Sequence, residues 1–222
     1  MTKIVKNCQI CKKKLTDILN LGKQPLCDDL LKKPGKNKFY KLQINFCVNC
    51  YTAFQKYNIN KKKLFPKNYH YRSANTKDVV EGMKDLVNNT SKVKKGLKNL
   101  KVIDIGCNDG SLLNIFKKKG ALTIGIEPTN AANEAKKKGH IVYKSFFEPS
   151  LSSKIKKKYG NIDVITFTNV FAHIENFDEL IKSLNLLISD ETLIVIENHY
   201  LGDVIKKKQF DTFYHEHPRT YS

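Results

Sequence analysis

The segment 101–110, taken together with Glu127, constrains the fold of this chain more than any other feature. An apolar run leads into a glycine-containing turn, and an amphipathic helical pattern follows, as in the elements that bind nucleotides at a helix N-terminus. The spacing of Asp104, Gly106 and Gly110 differs from the Gly-x-Gly-x-x-Gly pattern of dinucleotide-dependent oxidoreductases. A second apolar run ends at Glu127, where a carboxylate can accept hydrogen bonds from both hydroxyls of a ribose.

This pair of strand ends resembles the S-adenosylmethionine (SAM) site of Rossmann-like methyltransferases. The alternative is an α/β turn that binds no ligand, and the ordered set of acidic and glycine positions argues against it. Two further residues of the turn, Asn108 and Asp109, are interpreted as shaping its backbone or approaching the ribose. The resemblance thus implies this cofactor-binding set: Asp104, Gly106, Asn108, Asp109, Gly110 and Glu127.

Strand and helix patterns alternate from Leu100 onward, which is typical of a parallel sheet flanked by helices. Strands are predicted at 101–105, 122–126, 141–143, 162–167 and 192–197. Helices are predicted at 111–119, 130–138, 151–158 and 177–188. We therefore expect an α/β fold of the Rossmann-like methyltransferase class. Since a complete sheet of that class has seven strands, we also expect the chain to be truncated at its C-terminus.

Two CxxC pairs stand near the N-terminus, Cys8 with Cys11 and Cys47 with Cys50. In a chain without a secretory leader such pairs indicate a metal, and four thiolates suit tetrahedral Zn²⁺ in a structural role. Free thiols or a redox pair are the alternatives. A loop or hairpin must fill the 35 residues between the pairs. Cys27 and Cys107 are interpreted as small buried residues, outside the metal site.

These patterns predict a zinc-binding module over 1–60, a linker with one helix over 61–99, and a SAM-binding methyltransferase domain over 100–222. Within the module, 40–46 alternates as a strand does. Turns are predicted at Leu21-Gly22, Gln24-Pro25 and Lys33-Pro34-Gly35. Within the linker, apolar residues at helical spacing predict a helix over 78–97.

The net charge of +19 raises the question of nucleic acid as a partner. Almost all of the basic residues are lysines in short runs, several of them at predicted helix C-termini, so a solvated surface is the preferred interpretation. No apolar run is long enough for a membrane span, and the N-terminus shows no signal peptide. We therefore expect a cytoplasmic protein that does not act on a membrane; the oligomeric state stays open.

The segment 210–222, FDTFYHEHPRTYS, concentrates groups that can move protons. Histidine titrates near neutrality and can accept a proton from an acidic C–H bond. Glutamate can orient the imidazole, and tyrosine can donate a hydrogen bond to a developing enolate oxygen. If the segment is irregular, Tyr214, Glu216 and His217 can project into one site. Zinc ligation by His215 and His217 is the competing interpretation.

Four motifs together are similar to those of the sugar C-methyltransferases that act on nucleotide-linked 4-keto-deoxysugars. They are the cysteine module carrying LGKQPLCDDLL, the YHYRS segment 69–73, the SAM turn with Glu127 and NVFAHI, and the terminal D-T-x-Y-H-E-H. They span nearly the whole chain. Pro218, Arg219 and Thr220 depart from the pattern after the last histidine. The C-terminal domain that helps these enzymes bind the sugar nucleotide is not part of the sequence.

The resemblance assigns roles by position. His217 would be the base that removes the proton beside the ketone, and Tyr214 and Glu216 would line the site. Tyr71 would approach it from the linker, unless it only packs. His173 would lie beside cofactor and substrate, unless it is a helix-start histidine satisfied locally.

Three further residues are placed near the cofactor. Asn169 could hydrogen-bond the methionine or adenine part of SAM. Phe146 and Phe147 could pack on the adenine, although burial in the core explains them equally well.

The predicted function is SAM-dependent C-methylation of a nucleotide-linked keto-deoxysugar, by base-assisted enolate formation and then methyl transfer. Two alternatives stay open at this point: an RNA methyltransferase with a zinc module, and a non-catalytic fragment that binds zinc and SAM.

Overall fold

The computed structural model describes residues 2–28, 30, 33 and 35–222. The strands in chain order are β1 (Lys3–Ile4), β2 (Thr16–Gln24), β3 (Tyr40–Cys47), β4 (Thr52–Gln55), β5 (Tyr57–Asn58), β6 (Lys101–Ile105), β7 (Leu122–Ile126), β8 (Ile141–Tyr143), β9 (Val164–Thr168), β10 (Leu193–Glu197) and β11 (Arg219–Thr220). The helices are α1 (Lys61–Leu64), α2 (Lys77–Val93), α3 (Ser111–Lys118), α4 (Ala131–Lys137), α5 (Pro149–Tyr159), α6 (Phe177–Leu187) and α7 (Leu201–Lys206). Short 3₁₀ turns occur at Ser73–Asn75, Phe171–His173 and Phe210–Thr212.

The chain divides into two compact units, each assembled from separate stretches of sequence. Unit 1 comprises Met1–Pro66, Asn169–Phe177 and Glu197–Ser222, and unit 2 comprises Lys67–Thr168 and Asp178–Ile196. This division differs from the predicted boundaries at 60 and 100. The last stretch, which the sequence pattern assigned to the methyltransferase domain, packs with the N-terminal residues because β11 pairs with β4.

Unit 1 is built on a four-stranded sheet in the order β11-β4-β3-β2, in which the pairs are antiparallel. The β2–β3 hairpin fills the gap between the CxxC pairs, as expected. The turn predicted at Leu21-Gly22 is wrong, because β2 continues through it. The register shifts between Asn20 and Lys23, and Gly22 takes the positive φ of +74° that this bulge requires.

Gln24-Pro25 does mark the end of β2, whereas Pro34 lies outside the described residues. Cys27 is exposed in the turn that follows β2, so its interpretation as a buried residue is wrong. Cys107 is 3% exposed, as predicted.

The sheet associated with unit 2 has the order β10-β9-β6-β7-β8, and its β6–β7, β6–β9 and β7–β8 pairs are parallel. Its five strands and the helices between them lie within two residues of the predicted bounds. One face packs against α2 and α3 through the following buried core: Met83, Val87, Leu97, Val102, Leu112, Phe116, Ala121 and Val164. The sheet therefore holds the carboxyl ends of β6 and β7 side by side, where such folds bind ligands.

Helix α2 ends at Val93, four residues before the predicted end. Lysines fall in the last turns of α3, α4 and α5, as the sequence interpretation expected, where a cation interacts favourably with the helix dipole. The same holds for α7, a helix that the sequence did not predict. None of the helices in the described part of the chain has the length and apolar character needed to cross a bilayer.

Candidate functional site

The four CxxC cysteines converge in unit 1. Their sulfur atoms all lie within 4.8 Å of one another; Cys8 Sγ is 4.0 Å from Cys50 Sγ, and Cys11 Sγ is 3.5 Å from Cys47 Sγ. Tetrahedral Zn²⁺ with sulfur ligands at about 2.3 Å places those sulfurs about 3.8 Å apart. The four thiols therefore fit one zinc ion without a change of backbone.

Backbone amides around the first CxxC pair are placed to donate hydrogen bonds to a thiolate. The amides of Ile10 and Cys11 donate to Cys8 Sγ at 3.4 and 3.5 Å. A backbone hydrogen bond from Lys13 lowers the pKa of Cys11 to about 6, whereas burial raises the pKa of Cys8 to about 12. Val5, Leu15 and Phe54 pack around the cysteines, so the metal ligands form part of a small apolar core.

In unit 2, a backbone amide of the turn after β6 donates a hydrogen bond to the Glu127 carboxylate. Gly106 has a φ of +75° and Asn108 a φ of +49°, both left-handed. The Asn108 amide donates to Glu127 Oε2 at 3.1 Å, and the Thr129 amide donates to Glu127 Oε1 at 2.8 Å. Each carboxylate oxygen keeps a further lone pair, so Glu127 can still accept from ribose hydroxyls. The buried carboxylate, 5% exposed, thus fits the cofactor assignment.

Asn108 and Asp109 hold the YHYRS segment against this turn. Asn108 Oδ1 accepts from the Ser73 amide at 3.1 Å, and Asn108 Nδ2 donates to the Tyr71 carbonyl at 3.1 Å. Asp109 Oδ1 accepts from the Ser73 hydroxyl at 2.8 Å and from Ser111. Burial alone would raise the pKa of Asp109, but Ser111, Ser73 and the Lys138 ammonium hold it below its usual value. The structure favours the backbone-shaping alternative for both residues.

Asp104 lies on β6, is 3% exposed and accepts a 2.7 Å hydrogen bond from the Thr166 hydroxyl. Burial raises the pKa of Asp104 to about 7; the Thr166 hydrogen bond opposes this rise, and the charge of Glu127 adds to it. Because the folded state binds this proton more tightly than the unfolded chain, Asp104 stabilises unit 2 fully below about pH 4. That contribution is lost as the pH rises through 7.

We expect Asp104→Asn to flatten the pH dependence of unfolding of unit 2 between pH 4 and pH 7. Asparagine keeps the oxygen that accepts from Thr166 but cannot ionise. Urea unfolding followed by hydrogen exchange in β6 measures the effect, and Asp178→Asn, an exposed carboxylate on α6, is the matched control. An unchanged pH profile in Asp104→Asn would contradict the assignment.

Two glycines of unit 2 are required by packing. A Cβ on Gly110 would lie 2.9 Å from Ala135 Cβ, and one on Gly125 would lie 2.5 Å from Cys107 Sγ. Gly110 therefore lets α4 approach the start of α3. Phe147 is 9% exposed and packs edge-on against Phe167 at 6.3 Å, as the core alternative expected, while Phe146 is half-buried.

In unit 1, three of the predicted catalytic residues meet around one imidazole. His217 is 4% exposed, and its Nε2 lies 2.9 Å from the Tyr214 hydroxyl. The His217 ring stacks on His173 with centroids 4.8 Å apart, and His199 lies 4.9 Å away. His173 Nδ1 hydrogen-bonds the backbone carbonyl of Glu216 at 2.6 Å, so this nitrogen is the donor.

Burial keeps the imidazoles of His217 and His173 neutral. It lowers the pKa of His217 to about 3, with His173 and His199 adding to the effect and a Thr212 backbone hydrogen bond opposing it. It lowers the pKa of His173 to about 4. His215, 2% exposed, packs edge-on against Tyr40 at 6.0 Å instead of joining His217, so the two histidines do not form a common metal site.

Gln55 fixes the turn that carries these groups, and the sequence analysis missed it. Its side-chain Nε2 donates to the carbonyls of Tyr214 and, at 2.9 Å, of His217, the two ends of the turn. The His217 amide closes the same turn onto Tyr214 at 3.0 Å. The available signal was a polar residue at the end of the fully buried strand TAFQ.

The structure does not test the predicted roles of Asn169 and Tyr71, which belong to different units. Asn169 belongs to unit 1, has a φ of +55°, and donates from Nδ2 to Glu197 Oε1 at 3.1 Å. Tyr71 belongs to unit 2 and is 41% exposed. Their predicted roles toward cofactor and substrate therefore stay predictions.

A family model described as a methyltransferase domain matches residues 71–222. The chain belongs to this methyltransferase family. A second model, described as a "Putative zinc binding domain", matches residues 8–65 and includes all four CxxC cysteines. Together with the parallel sheet and the sulfur cluster, these matches confirm the predicted fold class, a SAM-dependent methyltransferase domain with a zinc-binding module, and the two predicted cofactors, SAM and Zn²⁺.

The C-methyltransferase NovU of Streptomyces niveus is 26% identical over 219 residues. The match covers 96% of this chain and 52% of NovU, so the chain spans about half the length of this methyltransferase relative.

Two solved structures are also similar in fold. The plantazolicin methyltransferase BpumL, in complex with a pentazolic desmethylPZN analog and SAH, is 20% identical with a TM-score of 0.47 over 61% of this chain and 56% of that chain. The PH0226 protein of Pyrococcus horikoshii OT3 is 16% identical with a TM-score of 0.48 over 67% and 69%.

Proposed function

We propose that this methyltransferase transfers the methyl group of SAM to a carbon atom of a nucleotide-linked keto-deoxysugar. The observation that carries the proposal is the neutral, buried imidazole of His217, hydrogen-bonded to a tyrosine hydroxyl and stacked on a second neutral histidine. A carbon next to a ketone has no lone pair, so its proton must move to a base before the carbon can be alkylated. An oxygen or nitrogen nucleophile attacks through a lone pair that it already has.

His217 is suited to take that proton. Its depressed pKa keeps the ring unprotonated at physiological pH and also makes the imidazole a weaker base, so the proton transfer depends on stabilisation of the enolate. A Thr212 backbone hydrogen bond engages the imidazole. Nε2 lies beside the Tyr214 hydroxyl and is the nitrogen that we assign as the base. In the proposed step the C–H bond breaks, its proton moves to Nε2, and its electron pair forms the enolate.

Tyr214 would stabilise the enolate, and His173 would hold the base in position. Once the substrate displaces the hydrogen bond between the Tyr214 hydroxyl and His217 Nε2, this hydroxyl can donate to the enolate oxygen and Nε2 can take the proton. Positioned donors of this type lower such barriers by about 3 kcal/mol. The ring of His173, anchored through Nδ1 to the Glu216 carbonyl, holds the His217 imidazole in place by stacking. Burial of this group excludes water that would return the proton.

The cofactor residues would hold the methyl donor. When bound, SAM supplies an electrophilic methyl group on a sulfonium. Glu127 would accept from its ribose, and the left-handed turn at Gly106 and Asn108 would let the backbone approach it closely.

The substrate class is supported by the similarity to a C-methyltransferase over 96% of the chain and by the ordered motifs that match sugar C-methyltransferases. The test is turnover with ¹³C-methyl-labelled SAM and a panel of nucleotide-linked 4-keto-deoxysugars. We expect the label on the ring carbon adjacent to the ketone, located by carbon–carbon coupling. Label on oxygen or nitrogen would contradict the proposal.

The net charge of +19 favours RNA as the second candidate substrate. RNA in the same assay separates the two functions. Methylated RNA whose yield falls steeply with salt, without turnover of any keto sugar, would replace the proposal with that alternative.

A further inference from the structure

A second group of ligand-type side chains lies apart from the four-cysteine cluster. The Cys27 thiol and the carboxylates of Asp28 and Glu216 come together in unit 1, with one ligand atom of each within 4.8 Å of the others. Cys27 and Asp28 follow β2, and Glu216 lies in the turn between Tyr214 and His217. Glu216 is distant in sequence from the adjacent residues Cys27 and Asp28, so the fold of unit 1 brings the three together.

Glu216 is the unusual member of this group. It is 2% exposed, and in the described part of the chain neither of its carboxylate oxygens has a hydrogen-bond partner. Buried carboxylates are normally paired or bound to a metal, because an unpaired one costs several kcal/mol, about 2 or more. The buried Glu216 carboxylate has two oxygens without hydrogen-bond partners among the described residues and lies close to a thiol and a second carboxylate. This arrangement indicates a site for a cation that all three side chains would bind.

The local electrostatics agree with this interpretation. Burial raises the pKa of Cys27 to about 12, and the charges of Glu216 and Asp28 add to the rise. Burial also raises the pKa of Glu216; its own backbone amide opposes this rise more than the Cys27 thiol does, and the charge of Asp28 adds to it. A negative charge on one group makes ionisation of the other two less favourable. A bound divalent cation would favour the ionised forms of all three.

We propose that Cys27, Asp28 and Glu216 bind a divalent cation of the Zn²⁺ type through one sulfur and two carboxylate oxygens. The sulfur selects against Mg²⁺ and Ca²⁺, which require oxygen ligands, and favours a borderline metal. Three protein ligands leave a coordination position for water. The exposed position of Cys27 gives the ion a route from solvent. The ion would also fix the turn that presents His217, since Glu216 precedes it directly.

The site is tested by Co²⁺ titration of the metal-free full chain, followed by the visible spectrum. We expect two equivalents to bind, the first with the absorption of a four-thiolate site and the second with a weaker sulfur band. Cys27→Ala and Glu216→Gln should each weaken the second equivalent by at least roughly 100-fold, beyond what loss of an outer-shell partner produces.

Glu197→Gln is the matched carboxylate control and should bind two equivalents. The four-thiolate band reports in each variant that unit 1 is folded, and Asp28→Asn provides a third, conservative variant. A single equivalent in the wild type, or a second equivalent that persists in Cys27→Ala or Glu216→Gln, would overturn the proposal. Because the readout is metal binding, this result is independent of whether the proposed methylation is correct.

Discussion

Replacement of His217 by glutamine is expected to lower the rate of methyl transfer by roughly 10²–10⁴-fold, the range for loss of a positioned general base. Glutamine preserves the approximate size and a hydrogen-bonding group toward Tyr214, but it cannot accept the proton. Affinity for S-adenosylhomocysteine should stay at the wild-type value, because His217 is assigned to proton transfer and not to the binding of the cofactor. Steady-state kinetics with calorimetric titration of S-adenosylhomocysteine measures both quantities.

The pH profile provides a second signature of the same base. Since burial lowers the pKa of His217 to about 3, the imidazole stays neutral at pH 5 and above. The rate of the wild type should therefore not fall as the pH is lowered from 8 to 5, as it would for a base with the usual histidine pKa near 6.5. His70→Gln, at an exposed histidine of unit 2, is the control and should leave rate and profile unchanged. A His217→Gln enzyme with wild-type rates would show that another group takes the proton.

Removal of zinc is expected to unfold unit 1. The four cysteines are surrounded by Val5, Leu15 and Phe54, so the metal and this apolar core depend on each other. Structural Zn²⁺ contributes about 10–16 kcal/mol of apparent binding free energy in zinc-finger peptides, more than a core of this size can replace. A chelator, or Cys47→Ser, should abolish hydrogen-exchange protection in β3 and β4 and keep it in β6 and β7, where the sheet has its own core.

The matched control for the zinc experiment is Cys107→Ala. Cys107 is buried in unit 2 and lies outside the sulfur cluster, so this variant should keep its zinc and its protection in β3 and β4. Protection of β3 and β4 that survives complete removal of metal would contradict a structural role for the four thiolates.

The methyltransferase sheet was predictable from sequence because its strands are short apolar runs that end at glycine or charged residues. The apolar run of β6 and the helical spacing in α3 each fit only one secondary structure, and the bounds of both agree with prediction. The CxxC spacing likewise implied that four sulfurs would meet, since each pair supplies two ligands from one turn.

The organisation into units was not predictable, because it depends on pairing between distant segments. β11 is only two residues long, and its pairing with β4 is set by the fold as a whole. For the same reason the sequence did not reveal Gln55, because its side chain finds its hydrogen-bond acceptors only once the fold brings the turn at 214–217 next to it. It also hides the proximity of Glu216 to Cys27 and Asp28.

The central claim is that the His217 imidazole removes a proton from carbon, and solvent exchange measures that step without methyl transfer. The protein is incubated in D₂O with a nucleotide-linked 4-keto-deoxysugar and S-adenosylhomocysteine, and proton NMR follows the ring position beside the ketone. We expect deuterium to enter that position with the wild type and not with His217→Gln. No exchange above the uncatalysed rate, or equal exchange with both proteins, would contradict it.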